Sequence, residues 1–401
     1  MNFLRFVIVL GSVALTPSVA AQPVVIADSG DSAWMLAASV LVLLAAIPGL
    51  ILCTTRSRTA APGQALLASV AGVSLLFALV GYSLMFGIGS PYLGGLDGAM
   101  LAALVELQDG ATVSEPVYVL FELALAILAV SILVTSLVGR ARFGWLVAFA
   151  PLWFLVVYVP VARWLAGGGW LAELGAIDYA GGLVIQVTAG AAALVIGLLL
   201  GRDEASEAEA DAALGLVGTA FVWVGWLGIV GGAALGASGD AALAMLNAHL
   251  AASAAVLVGL GFARLQKGTA TFAGDGAMAI AGLAAVSAGA ASVGPFGAVA
   301  LGAIGALAAT VAAGIVRSLN LGDAARAFLV HGAGGMAGAL AFPIFVLPMF
   351  GGPGFDEGAG IGTLLVAQAV AVGVVALWTV VVTAIAALMV SMLIPMRGDR
   401  T

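Results

Sequence analysis

The segment 326-RAFLVHGAGGMAGALAFPIFVLPM-349 holds no charged residue after Arg326. It is long enough to cross the ~30 Å hydrocarbon core of a bilayer, which takes about 20 apolar residues. His331 lies inside it, and an imidazole in hydrocarbon is costly enough that it normally faces a bundle interior or a cavity. The plainer reading is a buried histidine bonded to a backbone carbonyl. Gly332-Ala333-Gly334-Gly335 follows, and small residues of this kind let membrane helices approach closely where lipid gives no hydrophobic push. Such a segment belongs to a tightly packed membrane bundle with something polar at its heart.

Working outward, apolar stretches of similar length recur near 32–54, 64–87, 117–138, 143–164, 178–200, 212–235, 241–263, 273–292, 296–317, 326–349 and 361–394. The fold class is therefore all-α, a polytopic membrane protein of eleven transmembrane helices. The last stretch is too long for one straight crossing and must tilt or project. Composition agrees: of 401 residues 63% are hydrophobic and only 8% charged, with mean hydropathy +1.21. An ordinary soluble domain carries about 25% charged residues.

Charge orients the bundle. With the N-terminus outside, the inner loops hold Arg56, Arg58, Arg140, Arg142, Arg202, Arg264, Lys267, Arg317 and Arg326, and the tail holds Arg397 and Arg400. The outer loops hold Arg163 alone among these cations, with Asp97, Glu106, Asp109, Glu115, Asp240, Asp356 and Glu357. Positive residues collect inside, so the topology reads N-out and C-in. Residues 1–21 read as a signal peptide: Arg5, an apolar run from Phe6 to Leu15, and Ser18-Val19-Ala20-Ala21 before Gln22. An uncleaved anchor is the other reading. Residues 22–396 form the transmembrane domain and 397–401 a short cytoplasmic tail.

Several classes drop out. Cys53 is the single cysteine, which leaves no intrachain disulfide and no thiolate cluster. His249 and His331 lack cysteine or carboxylate at ligand spacing, so neither a metal nor another cofactor is expected. No basic patch suits nucleic acid, and no nucleophile, base and orienting group occur together, so an enzyme is not expected.

Spans five and ten repeat a pattern. Asp178 precedes Gln186-Val187-Thr188-Ala189-Gly190 as Asp323 precedes His331-Gly332-Ala333-Gly334-Gly335, at the same spacing. Five spans separate the two, an odd number, so the halves face opposite ways. This is a five-plus-five inverted repeat plus a long last helix, an arrangement that puts a substrate path at the midplane.

At these residues the chain resembles the ammonium transporter (Amt/Mep/Rh) family. The likeness runs through Asp31-Ser32-Ala33-Trp34, Gly81-Tyr82-Ser83-Leu84-Met85-Phe86-Gly87 and Gly167-Gly168-Gly169. It continues in Ile177-Asp178-Tyr179-Ala180-Gly181-Gly182, Gly225-Trp226, Asn247 and Val330-His331-Gly332-Ala333-Gly334-Gly335. The resemblance implies a homotrimer in the cell inner membrane, each protomer with its own narrow apolar pore for ammonium or ammonia. It implies two pore histidines, of which His331 matches the second while Gln186 stands at the first. The vestibule and gate positions it implies are Phe121, Leu125, Ala166, Asp178, Trp226, Ile229 and Ala233. Leu125 and Ile229 replace the family's gate phenylalanines, and Ala166 and Ala233 its vestibule tryptophan and serine. The tail after Met396 is too short for the segment through which many relatives meet a PII-type regulator. Two other readings stand beside transport of ammonium: a channel of the same fold for another small solute, and a non-conducting ammonium-binding sensor.

Overall fold

The computed structural model describes residues 27–54, 60–102, 104–105, 107–108, 110–203, 212–265, 276–355 and 358–397. The signal-peptide reading of residues 1–21 lies outside the described residues, as do Arg56, Arg58, Lys267, Arg400, Glu106, Asp109, Asp356 and Glu357.

Among the described residues the chain is helical throughout, with a lone bridge between Gly89 and Gly94 in place of any sheet. Ten helices are long and apolar enough to span a bilayer. They are α1 (Ser29–Cys53), α2 (Pro62–Phe86), α3 (Glu115–Leu137), α4 (Phe143–Trp164), α5 (Gly182–Leu200), α6 (Ala213–Gly232) and α7 (Gly239–Leu265). After the shorter α8 (Ala277–Ser287) come α9 (Pro295–Leu319), α10 (Asp323–Phe345) and α11 (Ile361–Ser391).

Two expectations change. The eighth span, read as 273–292, has a regular helix of only 11 residues, about 16 Å long at ~1.5 Å per residue. Each of its residues is buried between α7, α9 and α10, so little hydrocarbon touches it and its length need not match the bilayer. The fifth span begins at Gly182 rather than Asp178. Gly181 takes a left-handed φ of 75°, which stops the helix from extending backwards. The last helix is long as expected, 31 residues or about 46 Å.

Packing sorts the helices. In α3 and α5 83% of the most apolar window is buried, against 33% in α9 and α11. Helices α3, α5 and α8 are therefore the most enclosed, and α10 packs directly against both α5 and α8. The outer faces carry exposed Leu, Val and Ile, such as Leu257, Val311 and Leu377, the surface that hydrocarbon requires.

Several spans contain a π-helical turn, which leaves backbone groups free for other partners. In α4 the cause is visible, because Pro160 has no N–H to offer the carbonyl of Val156. Trp378 of α11 takes that carbonyl instead, its Nε1 donating at 3.2 Å.

Candidate functional site

Gln186 and His331 each lie on a π-helical turn, Gly182–Val187 in α5 and Phe328–Ala333 in α10. The two helices cross where glycine leaves bare backbone. A Cβ built on Gly190 would come within 2.3 Å of the Gly332 amide nitrogen, and one on Gly335 within 3.1 Å of the Gln186 Cβ. At that crossing His331 Nδ1 meets Gln186 Oε1 at 2.7 Å. Both side chains are buried, Gln186 completely.

An amide oxygen only accepts, so His331 Nδ1 carries the hydrogen and donates it. In the neutral ring the lone pair then sits on Nε2. The Gln186 amide nitrogen is buried without an acceptor among the described residues. The pair thus presents one free donor, the amide of Gln186, and one free acceptor, Nε2 of His331. Trp226 covers the imidazole, its ring nearly parallel at 12° with centroids 6.2 Å apart. Trp226 is itself held by Ser287, whose hydroxyl accepts from the indole at 3.0 Å and donates to the Leu283 carbonyl at 2.8 Å.

Asp178 works on the backbone. Its carboxylate accepts from the amide of Leu183 at 3.0 Å and of Val184 at 2.8 Å, capping the turn that carries Gln186. Orphan amides at a helix start need such a partner. Asp178→Ala should destabilise the protein by about 1–2 kcal/mol, and Asp178→Asn by less, because an amide oxygen still accepts. Thermal unfolding in detergent reads this out, and equal melting of Asp178→Ala and the native chain would remove the capping role.

The sequence reading did not single out Gln368 of α11. Its amide oxygen accepts from the Ile177 amide and its nitrogen donates to the Ile177 carbonyl, both at 2.9 Å, so it clasps the chain just before Asp178. The signal that could have found it is an amide side chain within an otherwise apolar span.

The family model of the Ammonium Transporter Family matches residues 33–400. The chain belongs to the ammonium transporter family. It is 32% identical over 392 residues to a putative ammonium transporter of Methanothermobacter thermautotrophicus, covering 93% of this chain and 94% of the relative. Candida albicans Mep2, at 28% identity, has the same fold with TM-score 0.84, covering 93% of this chain and 87% of that one. A sensor Amt protein is also similar, at 27% identity and TM-score 0.83 over 92% of this chain and 95% of the other. The chain is accordingly a multi-pass membrane protein.

The remaining positions fall as follows. Phe121 is buried against α6, where a Cβ on Gly232 would lie 2.3 Å from its ring. Ile229 is buried, Leu125 and Ala233 are partly buried, and Ala166 is exposed. Trp164 donates to the Tyr92 carbonyl and packs edge-on against Trp170 and Trp378, so it supports the outer loops. Asn247 donates to the carbonyls of Ala290 and Val293, both at 2.8 Å, and ties α7 to the turn after α8. His249 is exposed on α7 beside Trp223, whereas His331 is buried.

Proposed function

We propose that the chain moves ammonium across the cell inner membrane as neutral ammonia, along an apolar path beside Gln186 and His331. On this reading it is a homotrimer, N-out and C-in, and Gln186 occupies the position of the family's first pore histidine. The observation that carries the reading is the buried, direct Gln186–His331 hydrogen bond among apolar side chains. A bare cation there would be very unfavourable, whereas ammonia fits the free groups. The Gln186 amide can donate to its lone pair, and His331 Nε2 can accept one of its N–H groups. Proton transfer through two titratable rings is absent, because an amide does not titrate near neutral pH.

The test is flux into protein-loaded liposomes, with ammonium compared against methylammonium and potassium. Ammonium-driven internal pH change above that of empty liposomes, without potassium flux, is expected. No flux of any kind would leave the sensor reading, which the likeness to the sensor Amt protein favours.

The outer site lacks aromatic cover at Ala166, and the exposure of that residue leaves room for a larger side chain. Ala166→Trp should tighten apparent affinity for ammonium up to about tenfold if the added cation–π contact reaches ~1.4 kcal/mol. Concentration dependence of the flux checks this, and an unchanged half-saturation would place recognition elsewhere.

A further inference from the structure

The loop joining α2 to α3 is built unlike a loop that lies in water. From Gly87 to Ala102 it holds one charged residue, Asp97, whose carboxylate accepts from the Ile88 amide at 3.3 Å. Ile88, Tyr92, Leu96 and Met100 project from it, with between 61% and 86% of their surface exposed. Single exposed apolar side chains are ordinary, but several on one short loop call for a partner. The loop's backbone is satisfied by the protein itself. Arg163 donates to the carbonyls of Met85, Gly87 and Ser90, the Trp164 indole to that of Tyr92, and the Trp170 amide to that of Pro91. The Ser83 hydroxyl accepts from the Gly98 amide and donates to the Gly95 carbonyl, while the amides of Gly94 and Gly95 reach the carbonyls of Leu84 and Ile88. Met100 and Leu101 are held at φ of 59° and 53°, a left-handed backbone that bulky side chains rarely adopt. The loop is a fixed platform whose polar groups are engaged and whose apolar side chains stand free.

We propose that this loop is a lipid anchor: Ile88, Tyr92, Leu96 and Met100 enter the leaflet at the outer end of α2, outer being taken from the N-out topology proposed above. Three observations favour lipid over a protein partner. The face that α2 leaves uncovered carries Leu75 and Leu79, and Ile88 is the next strongly exposed side chain along the chain, so the loop extends a surface already made for hydrocarbon. Tyr92 lies beside Trp170, which meets Trp164, with ring centroids 6.2 and 6.0 Å apart. Trp and Tyr collect where hydrocarbon meets headgroups. A protein interface also exchanges about one hydrogen bond per 100–200 Å², yet of the four projecting side chains only Tyr92 has a polar group to offer. Hydrocarbon asks for none. The anchor is coupled to the segment after α4, because Gly169 packs so closely on the loop that a Cβ there would lie 2.4 Å from the Pro91 carbonyl oxygen. Lipid that holds the loop therefore also steadies the chain running from Gly169 towards Asp178.

Nitroxide labels on Ile88→Cys and, separately, Met100→Cys test the anchor in the full chain reconstituted into phosphatidylcholine–phosphatidylglycerol liposomes. Cys53→Ala removes the one native thiol, and both labelled positions are exposed, so substitution there disturbs little. Relaxation by oxygen, which concentrates in hydrocarbon, is compared with relaxation by a water-soluble nickel chelate. Leu79→Cys is the lipid reference, and Asp240→Cys, exposed at the start of α7, is the water reference. At both loop positions the nickel effect should fall at least threefold below that at Asp240→Cys, with the oxygen effect at least half that at Leu79→Cys. A nickel effect less than threefold below the water reference places the loop in water and overturns the anchor. A label shielded from both reagents overturns it too, because the loop would then be covered by a second copy of the chain. Should one variant melt early in detergent, the other position decides. Ammonium flux does not enter the measurement, so a failure of the transport reading leaves this result intact.

Discussion

Gln186→His is expected to raise the ammonium-evoked current at least tenfold over the native protein. His331 Nδ1 already lies 2.7 Å from the side chain at position 186, so an imidazole there would meet a ring held in place by Trp226. Two imidazoles at hydrogen-bond distance can share and pass one proton, since each has a donor and an acceptor face. The native amide can only hold the hydrogen that His331 offers. The surrounding packing changes little, because both side chains are planar and of similar reach. Solid-supported-membrane currents read the difference, with pH-sensitive dye flux as the check on neutral ammonia. A large native current that the substitution leaves unaltered would end the argument that an amide breaks the relay.

Gly338→Ala is expected to cost ~2 kcal/mol or more and to lower transport with it. Here α10 passes α8 so closely that an added Cβ would sit 1.9 Å from the Ala285 carbonyl oxygen. Overpacking a well-filled interior costs about 1–3 kcal/mol when side chains can yield. At this crossing the obstacle is backbone, so the helix itself must shift, and α10 also carries His331. Gly373→Ala on α11 is the control, because its Cβ would meet nothing within 4 Å. Fluorescence-detected melting in detergent should separate the two variants clearly. Equal melting of Gly338→Ala and Gly373→Ala would mean that α8 and α10 stand further apart than described.

Much of this protein was legible one residue at a time. Hydrocarbon demands about 20 apolar residues per crossing, so spans such as α3, α4 and α7 could be bounded to within a few positions. His331 and Gln186 stood out because a polar side chain in lipid needs a reason, and their matched spacing from Asp323 and Asp178 tied the two halves together. Tertiary structure decided what spacing cannot reach. For Asp178 the sequence left two roles open, attracting a cation or capping a helix start, and the cap is what forms, because Gly181 turns left-handed and puts the carboxylate over the amides of Leu183 and Val184. The eighth span shortened because a helix enclosed by protein is free of the bilayer's length. Gln368 and Ser287 gained roles only from partners 191 and 61 residues away in the chain. One-dimensional hydropathy records how much each residue avoids water, a property of the residue and its neighbours in sequence. Which donor meets which acceptor depends on how closely bare glycine backbones let α5 and α10 cross, and that distance exists only in the packed bundle.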